Sequence, residues 1–260
     1  MNAVFLASAV VAVIGMLVLW AVSVRLRDAS IVDVFWGPGF AAVAWTSLLV
    51  AGPSPRGFLL ASLATAWGLR LATHIARRRR GQGEDRRYAE MRASHGARFA
   101  LVSLFTVFLL QAGLMWLVSL PLQAGAALRR DAAPGAAEAL GLAVFAIGFA
   151  FEAVADAQLR RFLARPSSHG RVMQDGLWRY TRHPNYFGDS LVWWGLGIVA
   201  LASGAWWALA GPAVMTVLLV RISGVALLEK TIGERRPGYA AYAARTSAFL
   251  PLPPRRSSRA

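Results

Sequence analysis

The chain contains no cysteine in 260 residues, which excludes disulfides, thiolate metal sites and a cysteine nucleophile, while leaving the compartment open by that criterion. It is also poor in acid, with 13 Asp and Glu against 28 Lys and Arg, for a formal net charge of +15. No Gly-x-Gly-x-x-Gly run follows a strand-like segment, so a nucleotide cannot be held here by a Rossmann turn. No internal repeat is visible, and nothing in the sequence calls for a metal site. Above all, polar surface is scarce. Hydrophobic residues make up 57% of the chain and mean hydropathy is +0.48, which places it among integral membrane proteins.

What is present is a series of long apolar runs, near 4–24, 31–51, 57–76, 99–121, 137–159, 186–203 and 205–228. A spanning helix takes about 20 apolar residues, so these runs predict an all-α polytopic membrane protein, a bundle of about seven transmembrane helices forming one domain over 1–260. The first run has no basic residue before it and is too long for a signal-peptide core, so it reads as a retained anchor. The tail at 253–260, PPRRSSRA, is expected to be disordered and basic. With seven spans, 23 basic residues fall in loops on one side and three (Arg56, Arg129 and Arg130) on the other. The positive-inside rule then puts the N-terminus outside and the C-terminus in the cytoplasm, as expected of a protein of a bacterial inner membrane. Orientation and attraction to the headgroups of membrane lipids account for the charge without a nucleic-acid partner. Segments 52–56 and 203–205 read as tight outer turns and 122–136 as a longer outer loop. The longer cytoplasmic segments 77–98 and 160–185 imply that a loop-built site faces the cytoplasm.

A charged side chain in hydrocarbon costs about 2.5–3.5 kcal/mol on insertion scales, so each one needs a reason. Arg70 and His74 lie four apart in WGLRLATHIA, Glu152 and Asp156 four apart in FEAVADAQLRR, and Asn185 and Asp189 four apart in NYFGD. Asp33 opens the second run, Arg221 sits late in the seventh and Glu229 follows it. All fall toward the cytoplasmic ends, a pattern that predicts one cavity open to the cytoplasm; snorkelling and helix-end ion pairs are the alternative. Guanidinium groups suit phosphates, and carboxylates and amides suit ribose or carboxamide groups, so a cytoplasmic dinucleotide answers the description.

The segment GLWRYTRHPNYFGDSLVWWGLGI, 176–198, resembles the signature of membrane sterol reductases. With IVDVFWG, WGLRL and SGVALLEK…GYAAYAARTSAFLP, the chain resembles the bacterial branch of the steroid 5-alpha-reductase-like family over residues 28–252. The resemblance implies a helical membrane bundle that binds NADPH from the cytoplasmic side, with 150–252 as the cofactor-binding half. It carries the cofactor site onto Arg171, Arg182, His183, Asn185, Tyr186 and Asp189, onto Asp156 with its neighbour Glu152, onto Arg70, and onto Arg221 and Glu229. Where the family has a tyrosine that helps polarise a ketone, Trp67 stands here; indole donates a hydrogen bond but relays no proton. Asp33 and His74 are therefore the acid–base candidates beside Trp67, although His74 reads equally well as a polar residue paired with Glu152. The implied activity is NADPH-dependent reduction of an activated carbon–carbon double bond in an apolar small molecule taken from the bilayer, such as a 3-oxo steroid, a sterol or an isoprenoid. Arg-His-Pro followed by Tyr and Gly, with a late Glu, also resembles the isoprenylcysteine carboxyl methyltransferases, which implies S-adenosylmethionine instead. Asn185 and Asp189 favour the reductase. A non-catalytic lipid-binding membrane protein is a third reading.

Overall fold

The structure, a computed structural model, describes residues 1–128, 135–222, 224, 225, 229 and 236–255. Arg129, Arg130, part of the end of the seventh apolar run and the basic residues after Arg255 lie outside the described residues. The described residues are helical, without a strand; one isolated parallel bridge joins Thr181 and Ser247.

Among the described residues, five helices are long and apolar enough to cross a membrane: α1 (Asn2–Leu26), α2 (Ile31–Ala51), α3 (Pro55–Arg79), α4 (Arg86–Val118) and, further along, α6 (Ala136–Leu163). Between the last two lies α5 (Leu120–Ala127). Beyond them come α7 (Pro184–Leu201), α8 (Trp206–Ile222) and α9 (Tyr239–Arg245). The sixth and seventh runs thus give helices α7, of 18 residues, and α8, which is shorter. The first two turns of α7 hold Asn185, Tyr186 and Asp189, which dilute its apolar character.

The stretch expected as outer loop, 122–136, is corrected by α5: residues 120–126 are all buried. Gln123 anchors the turn by donating to the Trp116 carbonyl and to Ser119 Oγ, each at 2.7 Å. A run of Ala, Gly and Leu beside one glutamine lacks the length of a span, but its small side chains let neighbours approach. A Cβ on Gly125 would sit 2.3 Å from Leu60 Cδ1.

The chain divides into two compact units, one of residues 1–138 and 196–211, the other of 139–195 and 212–260. In the first, α2 and α3 touch backbone to backbone. A Cβ on Gly37 would lie 2.3 Å from the Gly68 carbonyl oxygen, and one on Gly68 would lie 2.4 Å from that of Gly37. Local signals set the helix ends: Ser54 accepts from Gly57 N at 3.1 Å ahead of Pro55, the first residue of α3, a position where proline's missing N–H breaks no bond. Within α4 a π-helical turn at Leu104–Leu109 interrupts the regular winding. A buried ion pair joins Arg56 to Glu138 at 2.8 Å.

In the second unit, α6 and α7 meet along a seam of glycines spaced seven apart on each helix. A Cβ on Gly148 would sit 2.6 Å from Val192 N, one on Gly188 2.5 Å from Glu152 N, and one on Gly195 2.5 Å from Phe145 N and 2.8 Å from the Gly141 oxygen. The seam brings Glu152 of α6 directly against the turn of α7 that carries Asp189.

Candidate functional site

In the second unit the stretch Thr181–Asp189 opens α7, and long-range bonds fix its approach. Arg182 N donates to the Ser247 carbonyl at 2.8 Å, and Thr181 Oγ1 donates to the Phe249 carbonyl at 2.9 Å. Leu252 N donates to the Tyr180 carbonyl at 3.0 Å, so the segment after α9 is strapped alongside 180–182. Trp178, mostly buried, donates its Nε1–H to the Ala155 carbonyl at 3.2 Å, and its own carbonyl accepts from the Tyr242 hydroxyl.

Glu229 is the hub of this region. Arg182 Nε donates to Oε1 at 2.8 Å and Nη2 to Oε2 at 3.0 Å, a bidentate fork. His183 Nε2 lies 3.1 Å from Oε1, and the Tyr239 hydroxyl donates to the same oxygen at 3.2 Å. The third Arg182 nitrogen, Nη1, donates to the Ala243 carbonyl at 2.8 Å. Burial raises the Glu229 carboxyl, but the His183 and Arg182 partners outweigh it and hold the group below the usual carboxylate range. Burial, then the Glu229 charge, push the Tyr239 phenol up to about 12.

One turn on, His183 and Tyr186 stack with ring centroids 5.6 Å apart and planes 13° apart. Asn185 lies between them in sequence, and its Oδ1 is buried with no hydrogen-bond partner among the described residues. Glu152, Asp156 and Asp189 are all buried. Arg171 and Arg221 are exposed: Arg171 contributes its backbone carbonyl as acceptor to Arg236, and Arg221 sits in a π-helical turn, Leu218–Ile222.

Asp33, Trp67, Arg70 and His74 belong to the first unit. Asp33 is committed to partners: Oδ2 accepts from Arg87 Nη2 and Oδ1 from the Tyr88 hydroxyl, both at 2.9 Å. Trp67 is wholly buried, edge-on to Phe40 with centroids 5.9 Å apart. Arg70 and His74 lie half-buried, one turn apart on α3. Around Asp33 the segment after α3 is bound down by a second ring of charge. Glu84 accepts from the Ala29 backbone N–H at 2.7 Å and from Arg92 at 2.8 Å through each carboxylate oxygen. Burial raises the Glu84 carboxyl, yet the Arg92 bond and the Ala29 N–H hold it below its ordinary range. Asp85 caps α4 by accepting from Arg87 N at 3.0 Å. Segment 77–98 is therefore ordered by ion pairs, with Tyr88 buried beneath it.

Tyr88, Arg87, Tyr239 and the glycine seam are not among the site residues expected from the sequence. Each left a trace: a tyrosine inside the charged run RRYAEMR, two tyrosines three apart in GYAAY, and glycines at 141, 148, 188 and 195. Among the described residues no group of three or more His, Cys, Asp or Glu side chains is placed to hold a metal ion.

No solved structure matches the chain. It is 27% identical over 264 residues to the uncharacterized protein C594.04c of Schizosaccharomyces pombe, a similarity covering 90% of this chain and 76% of the yeast protein. A family profile matches residues 19–246, taking in both charged clusters and the Arg-His-Pro-Asn-Tyr segment, and so the chain belongs to DUF1295, a family described as proteins of unknown function.

Proposed function

We propose that the protein is an NADPH-dependent membrane reductase acting on an activated carbon–carbon double bond of an apolar lipid, with seven spans and the cofactor side facing the cytoplasm. DUF1295 includes steroid 5-alpha-reductase-like proteins, which supports this class. The observation that carries the reading is Asn185. A buried amide oxygen without a partner costs about 1–3 kcal/mol, and a carboxamide N–H or a ribose hydroxyl supplies the donor it lacks. The residues present fit a dinucleotide with one revision. Arg182 spends three nitrogens on Glu229 and Ala243, so it positions α7 and does not hold phosphate. Arg171 and Arg179, both exposed in the same unit, are the guanidinium groups for the phosphates. Asn185 and Asp189 hold the polar groups of the cofactor, and the His183–Tyr186 stack gives the first turn of α7 a rigid aromatic wall.

Bound NADPH would supply a hydride to the acceptor carbon. The proton for the neighbouring carbon must come from the protein or from water. Asp33 is held by Arg87 and Tyr88, and Trp67 is sealed in the core, so neither is the source of that proton.

The test is a thermal-shift series on detergent-purified protein with NADPH, NADH and S-adenosylmethionine. Saturating NADPH at about 100 times its Kd stabilises by about 2.7 kcal/mol. Asn185→Ala should abolish that shift with the ligand-free melting temperature kept, and enone lipids should then oxidise NADPH in the wild type. A shift with S-adenosylmethionine alone would make the protein a methyltransferase and overturn the hydride mechanism.

A further inference from the structure

At the far end of α6 an open cleft is lined by Gln158, Arg161, Phe162, Arg165, Met173 and Asp175. It is built on a fixed frame: Gln158 Oε1 accepts from Leu177 N at 3.0 Å, and Gly176 turns the chain with φ of 60°. Loop 173–176 is thereby held against the helix. The cleft faces away from the carboxylates of the candidate cofactor region, since Asp156 and Gln158 are two residues apart and point to opposite sides of a helix.

The same face of α6 continues into the apolar part of the span. Leu140, Ile147 and Val154 keep 58%, 58% and 45% of their surface exposed, and at about 100° per residue they fall in one stripe with Gln158 and Arg161; Arg165 follows the end of α6 and lines the same cleft. Arg161 lies about 5 Å beyond Gln158 along the helix at about 1.5 Å per residue, and Arg165 comes two residues after the helix ends at Leu163. That interval spans the interfacial layer, about 5–7 Å thick on each side of the hydrocarbon. An acyl chain lying along the apolar stripe would therefore end at two guanidinium groups, at phosphate depth. Asp175 lines the same cleft and can accept a hydrogen bond from a hydroxyl or ammonium group.

We infer that this cleft is a binding site for one phospholipid, its phosphate on Arg161 and Arg165, its chain along Leu140, Ile147 and Val154, and a hydrogen-donating headgroup on Asp175. The site is independent of the reductase reading.

Native mass spectrometry of the full-length protein with equal amounts of phosphatidylethanolamine, phosphatidylglycerol and phosphatidylcholine tests it. The wild type should retain one of the first two lipids over phosphatidylcholine, whose headgroup has no N–H or O–H. The double variant Arg161→Gln/Arg165→Gln should lose about tenfold in retention, with an unchanged elution profile, while Arg77→Gln/Arg78→Gln retains lipid as the wild type does. Equal retention of all three lipids, undiminished retention in the Arg161/Arg165 variant, or displacement of the lipid by inorganic phosphate or NADPH would overturn the assignment.

Discussion

Replacing Glu229 by glutamine keeps the side chain's size and one acceptor but removes the charge that Arg182, His183 and Tyr239 share. The contacts at stake are the Arg182 fork at 2.8 and 3.0 Å, His183 at 3.1 Å and Tyr239 at 3.2 Å. Hydrogen bonds to a charged group contribute about 1.5–3 kcal/mol each, but bonds sharing one carboxylate are not additive. The expected loss is about 3 kcal/mol, the lower end for breaking a buried pair, because the Glu229 side chain keeps 26% of its surface exposed. At about 2–4 °C per kcal/mol for a chain of this length, the melting temperature should fall by about 6–12 °C. Fluorescence-detected size exclusion after heating in mild detergent reads this directly. The pH dependence gives a second readout. The Glu229 carboxyl is depressed in the folded protein, so its stabilisation is full above the ordinary glutamate pKa of about 4.3 and is lost as pH falls through the lower folded value. The acid limb of the wild type should therefore be steeper than that of the variant. A Glu229→Gln protein melting within about 2 °C of wild type at neutral pH, with the same acid limb, would refute the hub.

Adding a side chain at the glycine seam is expected to be severe: Gly188→Leu drives a Cβ to 2.5 Å from Glu152 N, and the folded peak should disappear on size exclusion. Arg56→Gln leaves Glu138 charged and buried, at a cost of about 3 kcal/mol, whereas Arg56→Leu/Glu138→Leu should melt close to wild type. Tyr239→Phe should cost about 1 kcal/mol. In the wild type the raised Tyr239 pKa means that its stabilisation is present below pH of about 10 and is lost as pH rises through about 12, so ultraviolet titration of the variant should show one fewer late-ionising tyrosine. Asp33→Asn should weaken the attachment of residues 86–88, detected as faster amide exchange there; unchanged exchange would mean that the Arg87 and Tyr88 bonds do not hold the segment.

Much of the architecture follows from local sequence. Apolar runs long enough to span made α1 to α4 and α6 legible, because a helix in lipid satisfies its own backbone and needs only length and hydrophobicity to be recognised. Pro184 marked the start of α7, since proline suits a helix's first turn, and the polar cluster just after it was visible for the same reason. Tertiary structure decided which partners those polar groups meet. Arg182 reads in sequence as one residue of a cofactor site, and folding sets against it a carboxylate from 47 residues away; a guanidinium fork suits either oxyanion, and only proximity chooses. Asp33 reads as one acid–base candidate, and only the fold shows that Arg87 and Tyr88, 54 and 55 residues on, bind its two oxygens. Residues 122–127 read as loop because they lie beyond the fourth apolar run and are too short to span, and became part of a buried helix because small residues there let neighbouring helices close over them. Hydrophobic length is a property of consecutive residues, whereas the partner of a charge is whichever group the packed helices bring within about 3 Å.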